Sequence, residues 1–160
     1  MAVDMFIKIA GIPGESQDKT HKGEIDVLAF SHGWSQSGTT HMGGGSGGGK
    51  VSVQDLSFTK YIDKSTPKLM EKCFKGDHID EATLVIRKAG GKPLEYVTYI
   101  MKDIIISSQS TGGSGGEDRL TENVTLNFGA IEYKYIEQTP QGGEGEKPDF
   151  KWDIAANTEV

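Results

Sequence analysis

A mainly β protein, curved towards a barrel and carrying one helix, is the fold this sequence predicts. Apolar residues recur at period two along most of the chain, so alternate side chains share one face of a sheet. Glycine-rich tracts punctuate those runs, and one segment alone carries its apolar residues at helical spacing.

The alternating runs are Val3 to Ile9, Glu24 to Trp34, Val51 to Thr59, Ala82 to Lys88, Leu94 to Ser107, Glu122 to Tyr135 and Phe150 to Ile154. Seven such strands suit a barrel or a sandwich. Two slips of parity favour the barrel. In the sixth run the inward set Val124, Leu126, Phe128 gives way around Gly129 to Ile131, Tyr133, Tyr135, as one extra residue in a β-bulge would cause. A similar slip separates Val51 and Val53 from Leu56 and Phe58, and strands bent this way turn sheet corners. Phe6, Phe30, Phe58, Phe128 and Trp152 alternate with polar neighbours and are expected in the core.

The helix is read from its punctuation. Thr66 is the expected cap, Pro67 suits a first helical position, and Gly76 can terminate. Leu69, Met70, Cys73 and Phe74 form its expected inner face. Residues 41–50, 110–118 and 137–149 read as loops because glycine, proline and charge replace the alternation.

Bulk properties narrow the function. A chain of 160 residues fits one domain, here 1–160, and can bury roughly 70% of the surface its unfolded form exposes. A net charge of −6 opposes phosphate backbones and anionic lipid, so neither nucleic acid nor membrane insertion is expected. The single cysteine, Cys73, forms no internal disulfide, which fits cytoplasmic folding. The opening Met1 to Ile9 has no basic leader and interrupts its apolar residues with charge, so any export would be leaderless.

Several motifs imitate catalytic ones. Gly44, Gly45, Ser46, Gly47 and Lys50 match the spacing of a phosphate-binding loop, but Val51 stands where a Mg²⁺-binding hydroxyl belongs and a strand pattern follows in place of a helix. Gly112, Ser114 and Gly116 imitate a nucleophile elbow but also lead into a strand. His21, His32, His41 and His78 lack metal-ligand spacing and read as solvated. The acidic residues read as solubilising surface, with no apolar pair to raise a pKa for acid–base work. No catalytic residue, metal or cofactor is expected.

Longer strings say more. Val3-Asp4-Met5-Phe6-Ile7-Lys8-Ile9, the stretch from Val53 to Pro67 (VQDLSFTKYIDKSTP), and that from Ser110 to Val124 (STGGSGGEDRLTENV) closely resemble the Hcp family, the haemolysin-coregulated proteins of bacterial type VI secretion. The resemblance takes in Gly14-Glu15-Ser16, Ser35 to Gly38 and Ile86 to Gly91 and spans nearly the whole chain. It implies a β-barrel of two packed antiparallel sheets with one flanking helix. It also implies a non-enzymatic role: a homohexameric ring that stacks into the inner tube of a contractile apparatus, is exported, and carries effectors in its lumen.

Partners implied are further copies of the chain, secreted effectors, and the spike and sheath of the apparatus. Within that frame, Ser31 and Ser114 are the expected lumen contacts, because small hydroxyl side chains leave room for cargo. The tract with Gly44, Gly45, Ser46, Gly47 and Lys50 is the expected ring-contact loop. The competing expectation is a monomeric secreted effector or adaptor that uses the same fold for binding.

Overall fold

The computed structural model describes residues 2–38, 49–90 and 92–160. Its strands are β1 (Val3–Ile9), β2 (Ile25–Val27), β3 (Ala29–Ser31), β4 (Trp34–Ser35), β5 (Ser52–Val53) and β6 (Leu56–Tyr61). After helix α1 (Ser65–Lys75) come β7 (Ile79–Lys88), β8 (Leu94–Gly112), β9 (Thr121–Tyr135), β10 (Asp149–Asp153) and β11 (Thr158–Glu159). The chain is mainly β and antiparallel, with one helix among the described residues, as the alternation predicts.

The expected barrel is not closed. One sheet runs in the order β11-β10-β9-β8-β7-β1-β2, while β3 pairs with β6 and β6 pairs with β9. The strand expected from Glu24 to Trp34 is cut at Leu28 and again at His32–Gly33, so β2 joins β1 whereas β3 joins β6. The sheet curls round on this bent segment, and no continuous ladder crosses Leu28. The expected slip between Val53 and Leu56 is likewise a break: β5 pairs with β4 in a separate two-stranded sheet, and β6 belongs to the main one.

The parity change at Gly129 is real, but its cause is not an extra residue in one strand. Tyr99 and Met101 are buried on β8, then Ile104 and Ile106, so β8 changes parity opposite the same point on β9. Asp103, opposite Gly129, takes a positive φ of 56°. Pairing is in one register before it and after it, from Met101↔Ile131 to Ile104↔Phe128. Two facing slips cancel. A register shift does occur further along, between Ile106 and Ser108.

This paired slip forks the sheet. Before it, β9 lies between β6 and β8, with Leu126 opposite both Leu56 and Ile106. Beyond it, β9 lies between β8 and β10, with Ile131 opposite Met101 and Trp152. The core is densest before the fork, where Leu56, Phe58, Ile106, Val124 and Leu126 are each at most 2% exposed. Each such side chain contributes about 1.5–3 kcal/mol by leaving water. Phe6, Phe58 and Phe128 are core residues as expected, whereas Phe30 and Trp152 are half-buried.

Helix α1 seals that end of the sheet with one narrow stripe. Leu69 is fully buried and Cys73 packs on the core, but Met70 and Phe74 point outward, with Phe74 84% exposed. Residues 69 and 73 lie one turn apart, and 70 and 74 sit 100° round the axis from them. Thr66 is not the cap. The Asp63 carboxylate accepts from the Ser65 N–H at 2.8 Å, while the Thr66 hydroxyl is drawn inward to Glu122. Gly76 does terminate the helix, with φ 65° and its N–H on the Cys73 carbonyl.

Candidate assembly surface

The face sealed by α1 contains polar groups that the alternation could have revealed. Lys60 continues the inward set Leu56, Phe58, and Glu122 begins the set Val124, Leu126, Phe128. Both are buried, and the Lys60 ammonium donates to Glu122 at 2.5 Å. Thr66 Oγ1 and the Gln109 amide donate to the same carboxylate at 2.8 and 3.1 Å, and Asp63 lies 3.0 Å from Lys60 Nζ. The expectation that the acids are all solvated surface fails here, because Glu122 is held by three donors in place of water.

The expectation for the histidines fails at His21 too. Its ring is buried, stacks on Phe6 with centroids 4.5 Å apart, and contacts Glu24 at 3.0 Å and Glu95 at 2.5 Å. Burial by itself lowers its pKa, and the hydrogen bonds to Glu95 and Glu24 outweigh that, so the net shift is upward. Arg87 lies over the other side of this cluster, 5.0 Å from the Phe6 centroid and 2.6 Å from Asp18, whose carboxyl it holds far below its ordinary value. His78 is exposed beside Asp103, as a solvated histidine should be, and His41 lies outside the described residues.

Beyond the fork, no described residue seals the sheet. Tyr99, Ile131 and Tyr133 form the floor of an open cleft of about 570 Å³, and β10 supplies one wall through Phe150 and Trp152. The other wall is the base of the β4–β5 hairpin, with Trp34, Val51 and Val53, and His32 lies beside it. Trp34 is 60% exposed and Phe150 50%, which is unusual for side chains of that size. Burial, with the nearby Tyr133, pushes the Tyr99 hydroxyl up to about 12. Burial also lowers the His32 pKa despite its bond to the Gln54 carbonyl at 3.0 Å. Of the three buried side-chain nitrogens that have no hydrogen-bond partner among the described residues, two, Trp152 Nε1 and His32 Nδ1, lie here; the third is Arg87 Nε.

A third surface is polar. Ser31, Ser57 and Thr125 stand opposite one another on β3, β6 and β9. Thr59 donates to Asn123 at 2.7 Å, and Asp55 accepts from Ser107 at 2.7 Å and Asn127 at 2.9 Å. The result is an outward row of hydroxyls and amides. Ser31 is therefore on a small-residue polar face; Ser114 is exposed in the β8–β9 connection, and no described contact joins the two. The partners of Ser31 were readable from the polar positions between the inward residues of β6 and β9.

Gly44, Gly45, Ser46 and Gly47 lie outside the described residues; Lys50 is exposed, one residue before the cleft wall. Strand β5 follows it, in agreement with the refusal of a phosphate-loop reading. The second glycine tract is shorter than expected, because β8 runs on to Gly112, and the elbow-like Ser114 lies in a strand-to-strand connection. Among the described residues no group of three or more His, Cys, Asp or Glu side chains is placed to hold a metal, and no helix is long and apolar enough to cross a membrane.

Comparison with known proteins now adds to this geometry. A family described as "Type VI secretion system effector, Hcp" matches residues 6–135. The chain is 60% identical to protein Hcp1 of Pseudomonas aeruginosa over 162 aligned residues, covering 100% of each. Its fold matches the crystal structure of Hcp1 from Salmonella typhimurium, at 39% identity, full coverage of both chains and a TM-score of 0.81. It matches a solved type six secretion system protein with a TM-score of 0.93 at 28% identity, over 99% of this chain and 100% of that one. An outward polar row, an unsealed aromatic cleft and this degree of likeness belong together: the chain is a member of the Hcp family of secreted type VI secretion proteins.

Proposed function

We propose that the chain is the structural subunit of the type VI secretion tube: six copies close a ring, rings stack, and the assembly is exported with effectors in its lumen. The observation that carries this reading is the unsealed cleft. A domain that finishes its core internally has no reason to leave Trp34 and Phe150 half in water above a floor of tyrosines. Apolar surface of this kind is what a permanent subunit contact covers. Six-fold closure needs a heterologous contact, one patch on a different patch of the next copy, and the chain's apolar features lie on different elements, as that requires.

Ser31 is assigned to the lumen, with Ser57 and Thr125 extending the same row; their hydroxyls can bond varied cargo while their small size leaves the bore open. Ser114 is assigned there from the likeness to the family alone. The glycine tract with Gly44, Gly45, Ser46, Gly47 and Lys50 is assigned to contacts between rings, and the spike, the sheath and effectors are the expected partners.

Size-exclusion chromatography with light scattering tests the reading. It predicts a mass six times the 17.3 kDa chain, held on dilution. A 17.3 kDa species at every concentration would instead establish a monomeric adaptor. For the lumen, Ser31→Trp in intact rings is expected to reduce cargo retention; unchanged retention would sink that assignment.

A further inference from the structure

The sheet carries a second, smaller apolar cluster on its outer face. Phe6 alternates with the core-facing Met5 and Ile7 on β1, and Val85 with Leu84 and Ile86 on β7. The two stand opposite each other and outside the main core, yet they are only 5% and 7% exposed. What hides Phe6 is a strap without regular structure. Residues 13–24, which lead from β1 to β2, lay the His21 ring on Phe6 with 14° between the planes.

The backbone of this strap bonds mainly to itself. Gly14 N–H donates to the Gly23 carbonyl, Ser16 N–H to that of Glu24 and Gly23 N–H to that of Ser16, and none of its described backbone hydrogen bonds reaches β7 or β8. Side chains tie it to those strands: Asp18 to Arg87 at 2.6 Å, and His21 to Glu95 at 2.5 Å. The two ties differ in kind. Their mutual hydrogen bonds hold the Asp18 carboxyl far below its ordinary pKa and the Arg87 guanidinium above its own, so that tie keeps its charges throughout the neutral range. His21 instead sits between two carboxylates, Glu24 at 3.0 Å from Nδ1 and Glu95 at Nε2. Only the imidazolium has an N–H for each; the neutral ring has one, and sets the lone pair of its other nitrogen against a carboxylate.

The surroundings favour the charged ring. Burial opposes it, but the hydrogen bonds to Glu95 and Glu24 outweigh burial and place the pKa above its ordinary value. Arg87 on β7, Asp4 on β1 at 3.2 Å from that guanidinium, Asp26 on β2 opposite Phe6, and Asp18 within the strap complete the charges near it. Lys8, Lys19 and Lys22 are exposed. Among these side-chain types only histidine ordinarily titrates between pH 5 and 8.

We propose that residues 13–24 form a pH-sensitive strap latched by His21: loss of the ring proton to solvent frees this end from β8 and uncovers Phe6, while the Asp18–Arg87 tie and the sheet beneath stay in place. The one N–H that remains stays with Glu24, three residues away in the same segment. Glu95, already partly exposed at 39%, turns to water.

Hydrogen exchange read by mass spectrometry on the purified full chain, corrected for the intrinsic effect of pH, tests the strap. From pH 6 to pH 9, peptides covering residues 13–24 are expected to lose about tenfold in protection, the size of one hydrogen bond to a charged group, while those of β7 and β8 keep theirs. Glu95→Gln keeps an acceptor at Nε2 without its charge and should move the change to lower pH. His21→Gln, which carries no titrating proton, should abolish it. Constant protection of the strap in the wild type would overturn the proposal, and so would a change that survives in His21→Gln. Loss of protection in the strap, β7 and β8 together would show that pH acts on the whole fold and that no separate strap opens. Should His21→Gln fail to fold, Glu95→Gln decides: a change at unaltered pH would overturn the latch.

Discussion

The β8–β9 hairpin has two ends that are finished differently. At the Gln109↔Val124 end, a helix covers the sheet, Leu69 is fully buried, and the charged Lys60 and Glu122 find all their partners within the chain. At the Tyr99↔Tyr133 end, about ten residues or roughly 33 Å along an extended strand, no helix among the described residues covers the aromatics and two buried nitrogens lack partners among those residues. The first end is complete in one chain. The second is built as a surface for another.

That contrast can be broken most sharply at the sealed end. Replacing Glu122 by Ala takes from the Lys60 ammonium its closest carboxylate, leaving it Asp63 and the Tyr61 carbonyl, and removes this acceptor from Thr66 and Gln109; it is expected to lower stability by about 3 kcal/mol in urea denaturation. The double variant Lys60→Met/Glu122→Leu should lose less than the single one, since the ammonium and its closest carboxylate leave together and Asp63 keeps its hydrogen bonds from Ser65. Leu69→Ala should lose about 2–5 kcal/mol, whereas Phe74→Ala, on the neighbouring, exposed row of the same helix, should change the stability of the isolated chain by less than about 0.5 kcal/mol. Equal losses at positions 69 and 74 would contradict the one-stripe packing of α1.

The His21 cluster gives a pH signature apart from either end. Its pKa is raised in the folded state, so the stabilisation is fully present below the unfolded value of about 6.5 and is lost as pH rises through the higher folded value. Glu24 and Glu95 face the ring nitrogens, Asp18 accepts its backbone N–H, and Arg87 lies across Phe6. Thermal melts from pH 6 to 9 should fall for the wild type and flatten for His21→Gln. A small effect is expected at the open cleft, where Trp152→Phe removes a donor without a partner among the described residues and should leave the isolated chain within about 1 kcal/mol of wild type.

Much of this architecture was readable from residues alone, and the failures have physical reasons. Strand β1 has the bounds that alternation predicts, and Gly76 ends the helix where it should. The parity change at Gly129 was visible, but its meaning was not, because the compensating slip lies at Asp103 on another strand. Lys60 and Glu122 were on the inward parity all along, and a preference for exposed charge overrode it. Phe74 shared helical spacing with Leu69, yet α1 packs on so narrow a stripe that the neighbouring row stays in solvent. The cleft was not legible, since it draws on β4, β5, β8, β9 and β10, which only the fork brings together.

Electron microscopy of the purified protein tests the central claim most directly, that the open end is completed by a further copy. The account predicts ring-shaped particles with a six-fold axis and an open centre. Compact single-domain particles throughout a concentration series would contradict it.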